Sequence, residues 1–138
     1  MSIAKTTGII PVEFEDHPGL FFEHLKGSKF IENYRLPKKG QLNPVATAHL
    51  LKIRLKYDLT ELEGELSVVD GLIEGIAWEK GLKPITIRIK PSAKDPLLTF
   101  AHEVGHYFLT VKNGYTNYYP DQTVENFCEY FAYKLLEK

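Results

Sequence analysis

Two histidines, His102 and His106, are the residues of this sequence whose type and spacing most directly suggest chemistry. On an α-helix, residues four apart lie on one face about 6 Å from each other, so both imidazoles can reach one metal ion. Zinc is the natural candidate, because it accepts imidazole nitrogen readily and in hydrolytic sites keeps three protein ligands and one open position. The spacing therefore predicts a Zn²⁺ site at His102 and His106.

Glu103, directly after the first histidine, is the expected catalytic residue. Zinc lowers the pKa of water toward neutrality and polarises a scissile carbonyl, and a carboxylate beside it can take the water's proton as general base. We expect Glu103 to take that proton and to pass it to the leaving amine. The alternative, two helix histidines with structural roles, is weakened by the amphipathic helix that the sequence predicts around them.

A third metal ligand is expected from a later helix that packs against the histidine helix. The last predicted helix offers Glu125 and Glu129, which both lie at the boundary of its apolar stripe. One oxygen of Glu125 could complete a His-His-Glu set, while Glu129 could accept the free ring N–H of a ligating histidine. The alternative is that both are ordinary charges on the flank of an exposed helix.

Two cap-plus-proline pairs predict where helices begin. Asn43 precedes Pro44 and Asp95 precedes Pro96, and proline is favoured at the first helical position after such a cap. The first helix is expected over residues 45–57. The second carries the histidines and an apolar stripe at helical spacing, and it is expected to end where Asn113 meets Gly114. The stripe consists of Leu97, Ala101, Val104, Phe108 and Val111.

The other elements complete an α+β fold. A helix is expected over residues 20–34, with a break at Gly27-Ser28, and a last helix is expected after Pro120-Asp121. Short β-branched or aromatic segments predict three strands, in the simplest case one small antiparallel sheet packed with about four helices. These segments are residues 65–70, 75–80 and 85–90, and the last alternates isoleucine with polar residues.

Length and composition exclude several classes of protein. The chain has 138 residues, 43% hydrophobic and 25% charged, which indicates one globular unit. We expect residues 44–138 to form the domain and residues 1–43 to form an extension packed on it. With a formal net charge of -1, the chain lacks the excess of basic residues that is typical of a dedicated nucleic-acid binder. The one cysteine, Cys128, excludes an intrachain disulfide framework and is expected to be a buried, unreactive thiol.

No apolar run in the sequence reaches the length of a membrane span, so a cytoplasmic location is the expectation. His17, His24 and His49 have no partner at ligand spacing and are expected to be surface residues or to form local hydrogen bonds.

Two blocks, LLTFAHEVGHYFL and VENFCEYFAYKLL, resemble the metal-binding core of the ImmA/IrrE family of small zinc metallopeptidase-like proteins. The resemblance extends over residues 45–136, and it implies a minimal zincin-like core without the DNA-binding domain that many members carry. It implies His102 and His106 as ligands, Glu103 as base, Glu125 as third ligand and Glu129 as their outer partner. Family members usually carry a smaller polar residue at the last of these positions, so Glu129 could compete for the ion.

The resemblance also implies a function, that of a zinc-dependent endopeptidase. The substrate would be another intracellular protein, with a repressor encoded nearby on a mobile element as one example. The rival hypothesis is a non-hydrolytic interaction module, in which the same zinc site stabilises the fold and the cleft docks a regulatory partner. Neither hypothesis involves nucleic acid directly or a membrane.

Three weaker patterns remain. The polar face of the third strand could pair with extended substrate backbone, or it could be an ordinary solvated face; it consists of Thr86, Arg88 and Lys90. A tyrosine could stabilise an oxyanion, and the sequence offers five without favouring one: Tyr107, Tyr115, Tyr118, Tyr119 and Tyr130. A small basic cluster is expected to be a solvated loop, and its members are Arg35, Lys38 and Lys39.

Overall fold

The fold is taken from a computed structural model that describes residues 10–34, 42–59, 70–74, 85–115 and 122–137. Within these ranges the chain forms five α-helices and three strands, which confirms the α+β class. The helices are α1 (Pro18–His24), α2 (Gly27–Glu32), α3 (Pro44–Leu51), α4 (Pro96–Tyr107) and α5 (Gln122–Leu136). The strands are β1 (Arg54–Lys56), β2 (Gly71–Glu74) and β3 (Thr86–Ile89), and a π-helical turn, Phe108–Lys112, continues α4.

The sheet has the order β1-β3-β2 and is mixed, which corrects the expectation of an antiparallel sheet. Strand β3 runs parallel to β1 and antiparallel to β2. The strand expected over 85–90 is confirmed as β3, whereas β2 occupies a segment around Gly71 that was expected to separate two strands. Of the other two expected strands, 65–69 and 75–80 lie outside the described residues.

The helix that begins after Asn43 is confirmed, but it is shorter than the expected 45–57. The Asn43 side chain accepts a hydrogen bond from the Ala46 amide at 3.1 Å. The helix ends at Lys52, whose left-handed φ of 60° turns the chain into β1. The residues after this turn form β1, which pairs with β3. This pairing with a distant segment could not be predicted from the local sequence.

The helix expected over 20–34 is divided into α1 and α2 by Lys26, which has a left-handed φ of 59°. Gly27 directly follows, and a Cβ there would clash with the buried ring of Phe22. The expected break at Gly27-Ser28 is therefore present one residue earlier, and it lets α1 pack on α5. In that contact, Phe22 and Phe131 have ring centroids 5.9 Å apart.

The apolar core lies between the sheet, α4 and α5. Ile87 and Ile89 of β3 are fully buried, as the alternation of that strand predicts. Thr86 and Lys90, which the same alternation placed in water, are buried as well, so the expectation of a solvated face is wrong at these two positions. Asp95 caps α4 by accepting a hydrogen bond from the Leu98 amide, which confirms the second predicted helix start.

Among the described helices, none is both long enough and apolar enough to cross a membrane.

The ion pairs of Arg88 predict a pH-dependent contribution to stability. Arg88 of β3 contacts Asp58 at 2.7 Å and also pairs with Glu74 of β2. The hydrogen bond from Arg88 holds the pKa of Asp58 below its usual range. The ion pair of Asp58 therefore stabilises the fold fully above the pKa of an unfolded aspartate, which is about 4. The stabilisation is lost as the pH falls from there through the lower pKa that Asp58 has in the folded protein.

We expect Asp58→Asn to lower the urea midpoint of unfolding at neutral pH, with a difference from the parent protein that shrinks in acid. Asp16→Asn is the matched control, because Asp16 is exposed and forms no ion pair with a described residue. A midpoint difference for Asp58→Asn that persists unchanged at pH 2 would contradict the assignment.

Candidate metal centre

Helices α4 and α5 approach each other closely enough to bring side chains from both into one site. Gly105, in the middle of the histidine segment, makes this approach possible. A Cβ at Gly105 would lie 3.1 Å from the Cα of Cys128 and 3.3 Å from its carbonyl oxygen. The absence of a side chain at Gly105 therefore sets how near α5 can lie to the two histidines.

The histidines of α4 and Glu125 of α5 converge at this crossing. Nε2 of His102 lies 3.0 Å from Oε1 of Glu125, and Nε2 of His106 lies 3.2 Å from Oε2. The two rings have centroids 5.1 Å apart. One carboxylate thus contacts both imidazole nitrogens, and the structure brings together three of the residues that the sequence proposed as ligands.

The two N···O distances are close to the spacing of ligand atoms around a tetrahedral metal ion. With metal–ligand distances of about 2.0–2.1 Å, ligand atoms of a tetrahedral site lie about 3.3–3.4 Å apart. The two N···O distances are within half an ångström of this value. Because each nitrogen contacts a different oxygen, the half-exposed Glu125 side chain would have to move for one oxygen and both nitrogens to surround a single ion.

The charges at the site are strongly coupled. Hydrogen bonds with His102 and His106 hold the pKa of Glu125 far below its usual range. Burial opposes the charge on His102, but the hydrogen bond with Glu125 and the negative charge of Glu103 outweigh it and raise the pKa of His102. The Glu125 carboxylate therefore favours positive charge at the imidazoles, and the same attraction would act on a bound cation.

Glu103 lies beside this group and is only 7% exposed. Burial raises the pKa of its carboxyl group, although the two neighbouring histidines act in the opposite direction. A Cβ at Gly71 of β2 would lie 3.4 Å from Oε2 of Glu103 and would clash with Thr99. The carboxylate of Glu103 therefore lies against β2 at Gly71, and a side chain at Gly71 would have to displace the methyl group of Thr99.

A cavity of about 650 Å³ opens over these residues. Its described lining comes from the start of β2, the outer face of α4 and one residue of α5: Asp70, Gly71, Leu72, Ile73, Leu98, Thr99, His102, Glu103, His106 and Glu125. The contribution of β2 to the cavity was not predicted from the sequence. A glycine inside a run of β-branched residues was the available signal, because such a glycine often marks a close approach of backbone.

The strand beside the cavity is β2, and not β3 as expected. Strand β3 is the central strand, with β1 on one side and β2 on the other, so neither of its edges is free to pair with a further strand. In addition, Arg88 on the polar face of β3 is already paired with Asp58 and Glu74. Within the described residues β2 is paired on one side alone, and it lines the cavity.

Cys128 is a second potential partner of the histidines. Its sulfur and one ring nitrogen of each histidine lie within 4.8 Å of one another. However, Cys128 is fully buried and does not line the cavity, and burial raises the pKa of its thiol well above the usual value. In contrast, the Glu125 oxygens lie 3.0 and 3.2 Å from the ring nitrogens, and Glu125 lines the cavity.

The remaining proposed site residues lie elsewhere. Glu129 is exposed and forms no hydrogen bond with either histidine ring, so the expected outer-partner contact is absent, and its charge reaches His102 only through space. Of the five candidate tyrosines, Tyr118 and Tyr119 lie outside the described residues. Tyr115 packs on Phe21, Tyr130 packs on Phe22, and Tyr107 is buried, so none of these three lines the described cavity.

Comparison of the chain with protein-family models, with curated proteins and with solved structures finds no match. The function is therefore argued from the site itself.

The close approach at Gly105 predicts that Gly105→Ala disrupts the site. Alanine in a helix interior is intrinsically favoured over glycine by about 1 kcal/mol, but overpacking against backbone costs about 1–3 kcal/mol. We expect a net loss of stability of about 1 kcal/mol in urea unfolding, together with weaker metal binding, because α5 and Glu125 must move away from the histidines.

Gly19→Ala is the matched control, because a Cβ at Gly19 of α1 would meet the side chain of Tyr130 at 3.3 Å and not backbone. The Tyr130 ring can shift, so this variant should retain the parent's metal affinity. Equal metal affinities in Gly105→Ala and the parent protein would contradict the proposed role of the helix approach.

Proposed function

We propose that this protein is a zinc-dependent endopeptidase. One observation carries the proposal: His102 and His106 converge on the carboxylate of Glu125 next to the buried carboxylate of Glu103, at the base of an open cavity. Two imidazoles and one carboxylate form the ligand set of hydrolytic zinc sites that keep one position open. The His-Glu-x-x-His pattern on a helix adds the residue type that such hydrolysis needs as a base.

The roles of the residues follow from their positions. His102, His106 and Glu125 would hold the ion. When bound, zinc supplies a Lewis acid that makes water more acidic and polarises a carbonyl. Glu103, whose carboxylate lies between α4 and β2, would accept a proton from the attacking water and donate it to the departing amine.

The position of β2 supports a peptide as the substrate. An extended peptide can add to a sheet edge through main-chain hydrogen bonds, and β2, which is an edge strand among the described strands, lines the cavity. A peptide bound there would place a scissile carbonyl near Glu103 and the histidines. Leu72 and Ile73 of β2 and Leu98 of α4 provide apolar contacts for its side chains. We place this activity inside the cell, on a protein substrate.

A second candidate function is a non-hydrolytic interaction module. The observation that favours it is that Glu125 ties α5 to both histidines of α4, so a bound ion would cross-link the two helices at the centre of the fold. In this case zinc would stabilise the domain, and the cavity beside β2 would dock a regulatory partner without cleavage.

Metal binding tests the ligand set that both functions share. We expect the parent protein to bind one zinc ion per chain, measured by elemental analysis after dialysis. Glu125→Gln should weaken zinc binding by about 10–100-fold or more, because it removes a charged ligand. Glu129→Gln removes the same charge from an exposed position one turn away on α5, so it should bind nearly as well as the parent. A larger loss in Glu129→Gln would overturn the assignment of Glu125.

Cleavage distinguishes the two functions. The zinc-loaded parent should hydrolyse members of a fluorescence-quenched peptide library, and Glu103→Gln should reduce the rate by about 10²–10⁴-fold while it retains zinc. Asp70→Asn serves as the control, because it changes a carboxylate that lines the same cavity away from the ligands. Equal rates for Glu103→Gln and the parent would exclude Glu103 as the base. Zinc binding without any cleavage by the parent would support the interaction module.

A further inference from the structure

A second recess, outside the candidate metal centre, lies where α2 meets the π-helical turn after α4. It has a volume of about 370 Å³. Aromatic rings form its floor: Phe30 lies 4.8 Å from Tyr34 and 4.7 Å from Phe108, measured between ring centroids. The exposed lysines Lys26, Lys29 and Lys112 lie around it. We refer to this feature as the lysine-rimmed recess.

The positive charge of the recess is not neutralised by the described part of the protein. Its described lining contains three lysines and no carboxylate. None of these lysines forms an ion pair with a described residue, in contrast to Lys134, which pairs with Glu137 at 3.1 Å. Since the whole chain has a net charge of -1, three unneutralised ammonium groups around one recess form a distinct local excess.

Polar groups in the recess also remain available for hydrogen bonds. The hydroxyl group of Tyr34 and the side-chain amide of Asn33 have no hydrogen-bond partner among the described residues. Burial raises the pKa of Tyr34, so its hydroxyl stays protonated and can donate. Lys112 lies 6.0 Å from the centre of the Tyr107 ring, a contact that orients its ammonium group without neutralising it.

We propose that the lysine-rimmed recess binds an acidic segment of a protein partner, with one apolar side chain of that segment on the aromatic floor. An apolar centre surrounded by a charged rim is the usual arrangement of a protein–protein contact. The lysine rim would pair with carboxylates on both sides of the apolar anchor, and the aromatic floor would supply the buried contact. Tyr34 and Asn33 would donate hydrogen bonds to the same segment.

A nucleic acid fits these observations less well. Its binding requires a basic surface that follows several phosphates, whereas the positive charge here is confined to one recess in a chain of near-neutral charge. The recess therefore favours a ligand with charge on both sides of a single apolar group.

This inference goes beyond the proposed function, because the described linings of the recess and of the metal-centre cavity share no residue. The two sites are connected through one helical run, since Lys112 follows His106 by six residues, or about 9 Å along a helix axis.

Fluorescence anisotropy with the full chain tests the proposal. The probe is a fluorescein-labelled peptide in which one phenylalanine is flanked on each side by three glutamates. We expect saturable binding that weakens as salt is added. The double variant Lys29→Glu/Lys112→Glu should weaken binding about tenfold or more, because each change removes an attraction and adds a repulsion. The double variant Lys56→Glu/Lys94→Glu is the control, since it makes the same change in net charge at exposed lysines outside the recess.

Further probes separate the proposal from general attraction between charges. A peptide with alanine in place of phenylalanine should bind severalfold more weakly, because it lacks the group that contacts the floor. Lys29→Gln/Lys112→Gln should give an intermediate loss, and circular dichroism should show that all variants are folded. Binding should be the same in Glu103→Gln, so failure of the peptidase proposal leaves this test intact.

Three results would overturn the proposal. The first is the absence of saturable binding of the phenylalanine peptide at low salt. The second is an equal loss in the Lys56→Glu/Lys94→Glu control. The third is binding of a single-stranded oligonucleotide that exceeds binding of the peptide and is lost in the recess variant, which would assign the recess to nucleic acid.

Discussion

The candidate site depends on the close contact between α4 and α5. Gly105 and Cys128 meet nearly backbone to backbone, and this contact places Glu125 within 3.2 Å of both histidine nitrogens. A carboxylate and two imidazoles on separate helices cannot be held at such distances by their own hydrogen bonds alone, because exposed ion pairs contribute little to stability. The apolar faces of the two helices, with buried aromatic residues such as Phe127 and Phe131, supply the energy that fixes the geometry.

The same packing creates two different environments for the two glutamates. Glu125 is half-exposed and shares its charge with two imidazoles, whereas Glu103 is buried between α4 and the backbone of β2. Neighbouring carboxyl groups with opposite pKa shifts are a common arrangement at catalytic sites, because one group then remains ionised while the other can exchange a proton. The position of Gly71 allows this difference by bringing backbone, and not a side chain, against Glu103.

Local signals in the sequence predicted the parts of the structure that depend on neighbouring residues. The caps at Asn43 and Asp95, and the placement of both histidines on one helix face, follow from short-range geometry and are confirmed. The parallel pairing of β1 with β3 and the position of β2 depend on contacts between distant segments, so periodicity could not predict them. The left-handed turn at Lys52, a residue type that gives no signal for that conformation, ended α3 earlier than expected. For the candidate site, the residue types and their spacing in the sequence predicted His102, Glu103 and His106. The sequence favoured Glu125 over Glu129 only weakly, because both lie beside the apolar stripe of α5. The packing of α5 on α4 separates them, since Glu125 contacts both histidines and Glu129 is exposed.

We propose that two imidazoles and the carboxylate of Glu125 surround one metal ion. X-ray absorption spectroscopy at the zinc edge of the zinc-loaded protein measures this ligand set. We expect a first shell of nitrogen and oxygen at about 2.0–2.1 Å, outer-shell scattering from two imidazoles, and no sulfur. A sulfur shell at about 2.3 Å would place Cys128 in the coordination sphere, and a spectrum without the imidazole signature would remove His102 and His106; either result would contradict the proposed site.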